Sequence, residues 1–242
     1  VRGRVAHESI FNLNDGSYRC PGTQQGYSPF STWTRGLSWV ICGCAEQLEF
    51  LAQLDEEQFP SEKPRDRVLE LLERAARATC DFYIENSPTD GIPYWDTGAP
   101  GLERMNDPSS RPADPFSGQE PVDSSAAAIA AQGLLRLGHF LGREEAGARY
   151  WKAGLTVLKT LLSDTYLCRD DRHEGLILHS LYHRPRDWDY SPDGSIPRGE
   201  STMWGDYHAR EVCLYLQRIA SDQRPLYFWS VAARGESPLP VT

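Results

Sequence analysis

Apolar residues recur every three or four positions in five stretches of this chain, the spacing that puts them on one face of an α-helix. Residues 31–54 align Leu37, Val40, Ile41, Cys44 and Leu48. Residues 61–84 align Val68, Leu71, Leu72, Ala75, Ala76 and Thr79. Residues 124–141 are rich in Ala and Leu and follow Asp123, a side chain suited to accept from the free amides of a first helical turn. Residues 144–162 align Tyr150, Leu155, Leu158 and Leu162. Residues 206–220 align Ala209, Val212, Cys213, Leu216 and Ile219, with Asp206 read as their cap. Only residues 176–183 alternate well enough to predict a short strand. Residues 5–11 read as the tail of a helix already under way.

Residues 86–122 form a long connection with seven prolines. Its first part, Asp90-Gly91-Ile92-Pro93-Tyr94-Trp95-Asp96, is expected to serve function, whereas 103–120 equally fits a mobile surface loop. Long helices joined by loops, without strand–helix alternation, predict an all-α fold of antiparallel helix pairs in one domain, 1–242. Five or six helices do not close a ring of such pairs. The expectation is therefore a partial barrel lacking N-terminal helices.

The net charge of −9 argues against a nucleic-acid partner, because a phosphate backbone needs a basic surface. No apolar run is long enough to cross a bilayer, so no membrane partner is expected, and a soluble cytoplasmic or periplasmic protein fits. The six cysteines show no C-x-x-C spacing and read as free thiols. His173, His179, His183 and His208 fall late in the chain, but no H-E-x-x-H or matching carboxylate pattern accompanies them. No metal and no cofactor is expected.

Two aromatic-rich segments carry the candidate chemistry: Gln25 to Trp39, and Ser201 to His208. A sugar is apolar on its faces and polar round its edge, so its site needs aromatic platforms and a few oriented donors. The candidate substrate-binding residues are Thr23, Gln25, Arg35, Trp39, Trp95, Ser201 and Trp204. Arg35 and Trp39 share a helix face and can converge on one ligand, with the guanidinium suited to a carboxylate. An ion pair with a nearby acid is the competing role for Arg35. Gln25 suits a sugar hydroxyl or an attacking water, and Trp95 in its loop suits a pocket wall.

Several motifs in register resemble the unsaturated glucuronyl hydrolases, glycoside hydrolase family 88. They are Asp15-Gly-Ser-Tyr18, Thr23-Gln-Gln25-Gly-Tyr-Ser28, Trp33-Thr-Arg35-Gly-Leu-Ser-Trp39, Asp90 to Asp96, Asp123 to Ala128, Glu174 to His179, and Gly199 to Tyr207. The resemblance covers about residues 5–220 and implies an (α/α)6 barrel, here as the C-terminal two-thirds of the family's length. It implies metal-independent chemistry on a 4,5-unsaturated uronic acid at the end of a lyase-generated glycosaminoglycan oligosaccharide. In that chemistry an aspartic acid protonates the C4=C5 bond, water adds at C5, and the resulting hemiketal collapses. The family's catalytic aspartates precede the segment matching Asp15-Gly16-Ser17, so none is expected among these residues. The 15–25 loop is short for the family. A histidine usual there is missing, with Arg19 or Cys20 nearest, and the usual His before Gln25 is Gln24. Alternative readings are the related unsaturated rhamnogalacturonyl hydrolases and a non-catalytic sugar-binding barrel. Arg184, Arg186 and Arg198 near His179 and His183 suggest a preference for sulfated sugars, against a solvated role offsetting Asp187, Asp189 and Asp193.

Overall fold

The computed structural model describes residues 1–189, 191 and 196–229. All five helices form: α1 (Thr34–Leu51), α2 (Arg65–Asn86), α3 (Ser124–Phe140), α4 (Ala148–Leu161) and α5 (Met203–Ala220). The start of α3 is as expected, and the others differ from the apolar pattern for local reasons. Residues 32–34 pair across to the 95–97 segment, through Thr34 N–H to the Trp95 carbonyl and Thr97 N–H to that of Thr32, so α1 begins late. Pro64 opens α2, since the residue before a proline is held away from helical geometry. Before α4, Glu145 is non-helical, at φ −115° and ψ −126°, which separates residues 142–146 as a turn of their own. Asp206 is not the cap of α5; Thr202 is, accepting from Gly205 N–H. The Asp206 carboxylate instead accepts from Leu176 and Ile177 N–H, at 2.9 and 3.0 Å.

Two further expectations are corrected. Residues 5–11 do not end a helix: β1 (Glu8–Phe11) pairs antiparallel with β2 (Tyr18–Gly22). The turn between them is the Asp15-Gly16-Ser17 motif, with Gly16 at φ +69° and Asp15 accepting from Ser17 N–H. The 176–183 stretch makes only isolated bridges, Leu167 to Ile177 and Ser180 to Glu200. His179, at φ +66°, breaks its extended run. The 103–120 segment is pinned rather than loose: the buried Glu120 accepts from Trp95 Nε1 at 2.8 Å and Gly101 N–H at 2.7 Å.

Helices α1, α3 and α5 stand side by side and run in the same direction, with α2 behind α1 and α4 behind α3. At one end Arg35 meets Asp123, and Trp204 meets Ser125. At the other Arg136 meets Glu49, and His139 meets Tyr215. The middle helix α3 is buried continuously from Ser124 to Gly138. Its small residues make that possible: a methyl on Gly133 would lie 2.7 Å from the Cys42 backbone, and one on Gly138 2.6 Å from that of Trp151. Adding it would overpack the core by about 1–3 kcal/mol. This row of parallel helices presents three N-termini at one end, and the candidate residues gather there.

Candidate functional site

Asp123 organises the site. Its Oδ1 accepts from Ser125 and Ala126 N–H at 3.0 and 3.2 Å, capping α3. Its Oδ2 takes Arg35 Nη1 at 2.8 Å, from the first turn of α1. Arg35 also donates to the Leu181 carbonyl, and through Nη2 to the Tyr182 carbonyl at 2.7 Å and Gln25 Oε1 at 3.4 Å. With a 4% exposed side chain and these partners, Arg35 is an internal strut rather than an open anchor for a ligand carboxylate. The expected convergence of Arg35 with Trp39 is replaced by a different stack.

The guanidinium lies between two indoles, 4.9 Å from the Trp33 ring and 5.1 Å from that of Trp204. Beyond Trp33 stands His7, at 4.6 Å between ring centroids. Beyond Trp204 stands Tyr182 at 5.6 Å, and beyond that Trp188 at 5.6 Å with only 29° between planes. Cation–π attraction holds the inner members; His7–Trp33 and Tyr182–Trp204 meet as tilted pairs, and only Tyr182–Trp188 is stacked.

The other sequence candidates separate. Gln25 sits at the edge of the stack. Because its Oε1 faces Arg35, its amide N–H2 remains for a ligand. Thr23 Oγ1 accepts from Gly26 N–H at 2.8 Å and lies 3.1 Å from His7 Nδ1, so it shapes the loop that presents Gln25. Trp204 is anchored by its Nε1–H on Ser125 Oγ at 3.1 Å. Trp39 is exposed and packs edge-on against His208 at 5.1 Å. Trp95 is only 4% exposed and packs with Ala99 and Leu181. The Ser201 hydroxyl donates to the Ile177 carbonyl at 2.6 Å, on the segment tied to Asp206. The arginines near His179 form no single basic patch. Arg184 pairs with Asp187 at 3.0 Å, Arg186 lies over Trp188, and Arg198 over Phe116. Asp193 lies outside the described residues.

His7 and Trp188 were not among the sequence candidates, and Tyr182 and His183 were read only as part of the donor cluster around 178–198. His7 hid in a segment read as helix, and the others in a loop whose tie to Arg35 no local pattern reports. His7 Nδ1 accepts from Gln24 N–H at 3.2 Å, which leaves its other nitrogen as the donor. Burial lowers its pKa, Glu8 works against that, and His183 and Arg35 add to the lowering. Asp96, Asp123 and Asp189 lie around the site, each with both oxygens engaged. Asp123 is described above. Asp96 accepts from Tyr27 and Gly98 N–H, at 2.9 Å each. Asp189, whose pKa burial raises, accepts from Tyr182 and His183 N–H. The arrangement can hold and orient a polar ring, and Asp96, Asp123 and Asp189 are each committed to the fold. Among the described residues no group of three His, Cys, Asp or Glu side chains is placed to hold a metal, and no helix is long and apolar enough to cross a membrane.

The chain matches no family model. It is similar to the unsaturated glucuronyl hydrolase of Bacillus sp. strain GL1, with 32% identity over 213 residues, covering 88% of this chain and 46% of that protein. It is also similar to the unsaturated chondroitin disaccharide hydrolase of Streptococcus pyogenes serotype M1, with 26% identity over 86% of this chain and 41% of that protein. The crystal structure of the Bacillus enzyme, described as responsible for the degradation of glycosaminoglycan, superposes with a TM-score of 0.65 at 30% identity, covering 90% of this chain and 48% of that one. The chain thus spans about half the length of these relatives, less than the two-thirds expected from its motifs. The helical row is part of an α/α barrel, and the chain belongs to the unsaturated glucuronyl hydrolase family.

Proposed function

We propose that this chain supplies the sugar-holding side of an enzyme that removes a 4,5-unsaturated uronic acid from the non-reducing end of glycosaminoglycan fragments. The observation that carries the reading is the stack of His7, Trp33, Arg35 and Trp204, with the free amide of Gln25 at its edge, where three helix N-termini meet. Aromatic faces match the sugar's C–H surface, and the converging helix dipoles favour a bound anion. The names of the relatives add the substrate class.

The chemistry proposed is addition of water across the C4=C5 bond. A proton goes to C4, water oxygen bonds to C5, and the hemiketal opens to release the remaining sugar. Gln25 is suited to orient that water, with its oxygen held by Arg35 and its N–H2 free. Asp96, Asp123 and Asp189 are engaged as described, so the proton comes from a carboxyl outside this set. General acid catalysis at such a step typically contributes 10²–10⁴-fold.

The test is calorimetric binding of an unsaturated chondroitin disaccharide to the 242-residue chain, beside its saturated counterpart, with the ultraviolet absorbance of the C4=C5 group followed in parallel. Binding that favours the unsaturated sugar, without loss of absorbance, is expected. Failure to bind either sugar would overturn the reading. Loss of absorbance would put the proton donor within this chain, with Asp189, the carboxyl whose acid form burial favours, tested beside Asp96 and Asp123.

A further inference from the structure

The two edges of the helical row take no part in the site. At one edge, α5 turns Gly205, His208, Val212 and Tyr215 inward, all buried. On its opposite side Met203, Tyr207, Arg210 and Leu214 follow at the three- and four-residue spacing of a single face. Met203 is 84% exposed and Tyr207 57%. With Leu176 these four side chains line an open groove of about 710 Å³. At the other edge, α1 meets α3 through Ile41, Cys42 and Glu49. The side of α1 turned away from α3 carries Gly36, Val40, Gly43 and Gln47. Glycine is a poor helix former, so one inside a helix is kept where something must come close. At Gly36, Gly133, Gly138, Gly154 and Gly205 an added methyl would lie 2.9 Å or less from another residue. At Gly43 it would meet nothing within 4 Å. The close neighbour that accounts for the other helical glycines is missing at this one in the single chain.

We propose that a second copy of the chain supplies that neighbour, with α5 of each copy seated on α1 of the other about a two-fold axis parallel to the helices. An (α/α)6 barrel closes with six parallel inner helices. One copy contributes three of them, α1, α3 and α5, in a span matching 48% of the Bacillus structure. A two-fold axis along the row keeps all six running the same way and makes the contact twice, so that no edge is left open. The edges also match in length, since α1 and α5 are each 18 residues, about 27 Å long. Arg35 lies over the Trp204 ring, which sets the first turns of α1 and α5 level. With the starts level across the new seam too, Gly36 falls between Met203 and Tyr207 of the other copy, and Gly43 between Arg210 and Leu214. Large side chains of one helix then pack over the smallest ones of its neighbour.

The test is sedimentation velocity on the 242-residue chain from low micromolar to near-millimolar concentration, a readout of mass that needs no sugar. A reversible monomer–dimer equilibrium is expected. Gly43→Leu enters open space in the single chain, so the monomer's melting temperature should hold or rise. The same change overpacks both seams and should raise the dimer Kd roughly tenfold or more. Met203→Asp, at an exposed helix start where an acidic side chain is favourable, should act likewise and carries the test if Gly43→Leu misfolds. Leu71→Asp, equally exposed but on α2, should leave the equilibrium unchanged. A monomer at every concentration overturns the proposal, as does a dimer indifferent to both seam variants. A mass that climbs past the dimer with concentration overturns the two-fold closure. A chain that stays monomeric alone but pairs with a separately produced N-terminal half of the Bacillus enzyme gives the edges to a different occupant and overturns it as well.

Discussion

Arg35 Nη1 lies 2.8 Å from Asp123 Oδ2, and both side chains are almost completely buried. Asp123 is at the same time the N-cap of α3. One carboxylate therefore fastens the first turns of two neighbouring helices and sets the position of the guanidinium between Trp33 and Trp204. Removing either partner leaves the other charged and buried, which typically costs more than the pair gains.

Arg35→Ala should accordingly destabilise the chain by about 3–5 kcal/mol, read from urea denaturation. Sugar binding should fall with the collapse of the stack rather than through loss of a carboxylate contact. Arg35→Lys keeps the charge but cannot reach Asp123, Leu181 and Tyr182 together, so it should recover only part of the stability. A fully stable Arg35→Ala that has lost only ligand affinity would reverse this assignment and restore the guanidinium as a ligand anchor.

Gln25 gives the opposite signature. It lies in a loop, and its N–H2 is not needed by the fold. Gln25→Ala should leave the melting temperature close to that of the parent and weaken binding of an unsaturated disaccharide by about 1 kcal/mol, the value of one neutral hydrogen bond. A large loss of stability with unchanged affinity would remove Gln25 from the site.

Glu120 holds the long connection shut. Its two oxygens serve Trp95 Nε1 and Gly101 N–H, and Glu120→Ala leaves both buried donors without a partner. The expected cost is about 2–4 kcal/mol, from two unsatisfied groups at 1–3 kcal/mol each with partial relaxation. Limited proteolysis should then cut within residues 100–120 first. Resistance equal to the parent would show that the loop is held by other contacts.

Stability should vary with pH through two groups near Arg136, with opposite signs. Burial pushes Glu49 from 4.5 up to about 7, although Arg136 pulls it back. The folded chain keeps a proton there that the unfolded chain loses, so stability falls as pH rises from about 4.5 to about 7. Burial, aided by Arg136, pushes His208 from 6.5 down to about 4. The unfolded chain gains a proton there that the folded one refuses, so stability falls as pH drops from about 6.5 to about 4. The two oppose each other over most of that range, and only Glu49 acts between pH 6.5 and 7. Glu49→Gln should flatten the decline in denaturation midpoint above pH 6.5. His208→Asn should reduce the loss on the acid side. Unaltered pH profiles in both variants would place these groups outside the linkage.

The apolar period along the chain determined the five helices, because a helix that buries one face must repeat its apolar residues at that spacing. Asp123 was legible as a cap from its place before an Ala-rich run, since capping is a local matter. The aromatic segments were legible as a candidate site from composition alone, which marks a surface suited to a ring. Short exposed elements were not. The β1–β2 hairpin buries too little to leave an alternating pattern, and the alternation at 176–183 failed at a single positive φ, at His179. What only the tertiary structure decided was which way each polar side chain faces. Arg35 reads equally well as a ligand anchor or as an ion-pair partner until α3 brings Asp123, 88 residues later, against it. The facing of the Trp95 indole is likewise set by Glu120, which accepts from its Nε1–H. The joining of Trp188 to the stack depends on two carbonyls that bind Arg35 from 146 and 147 residues away. Local sequence encodes periodicity and caps because they act within a turn or two. The partner of a buried charge is chosen by whichever segments the packing brings within reach.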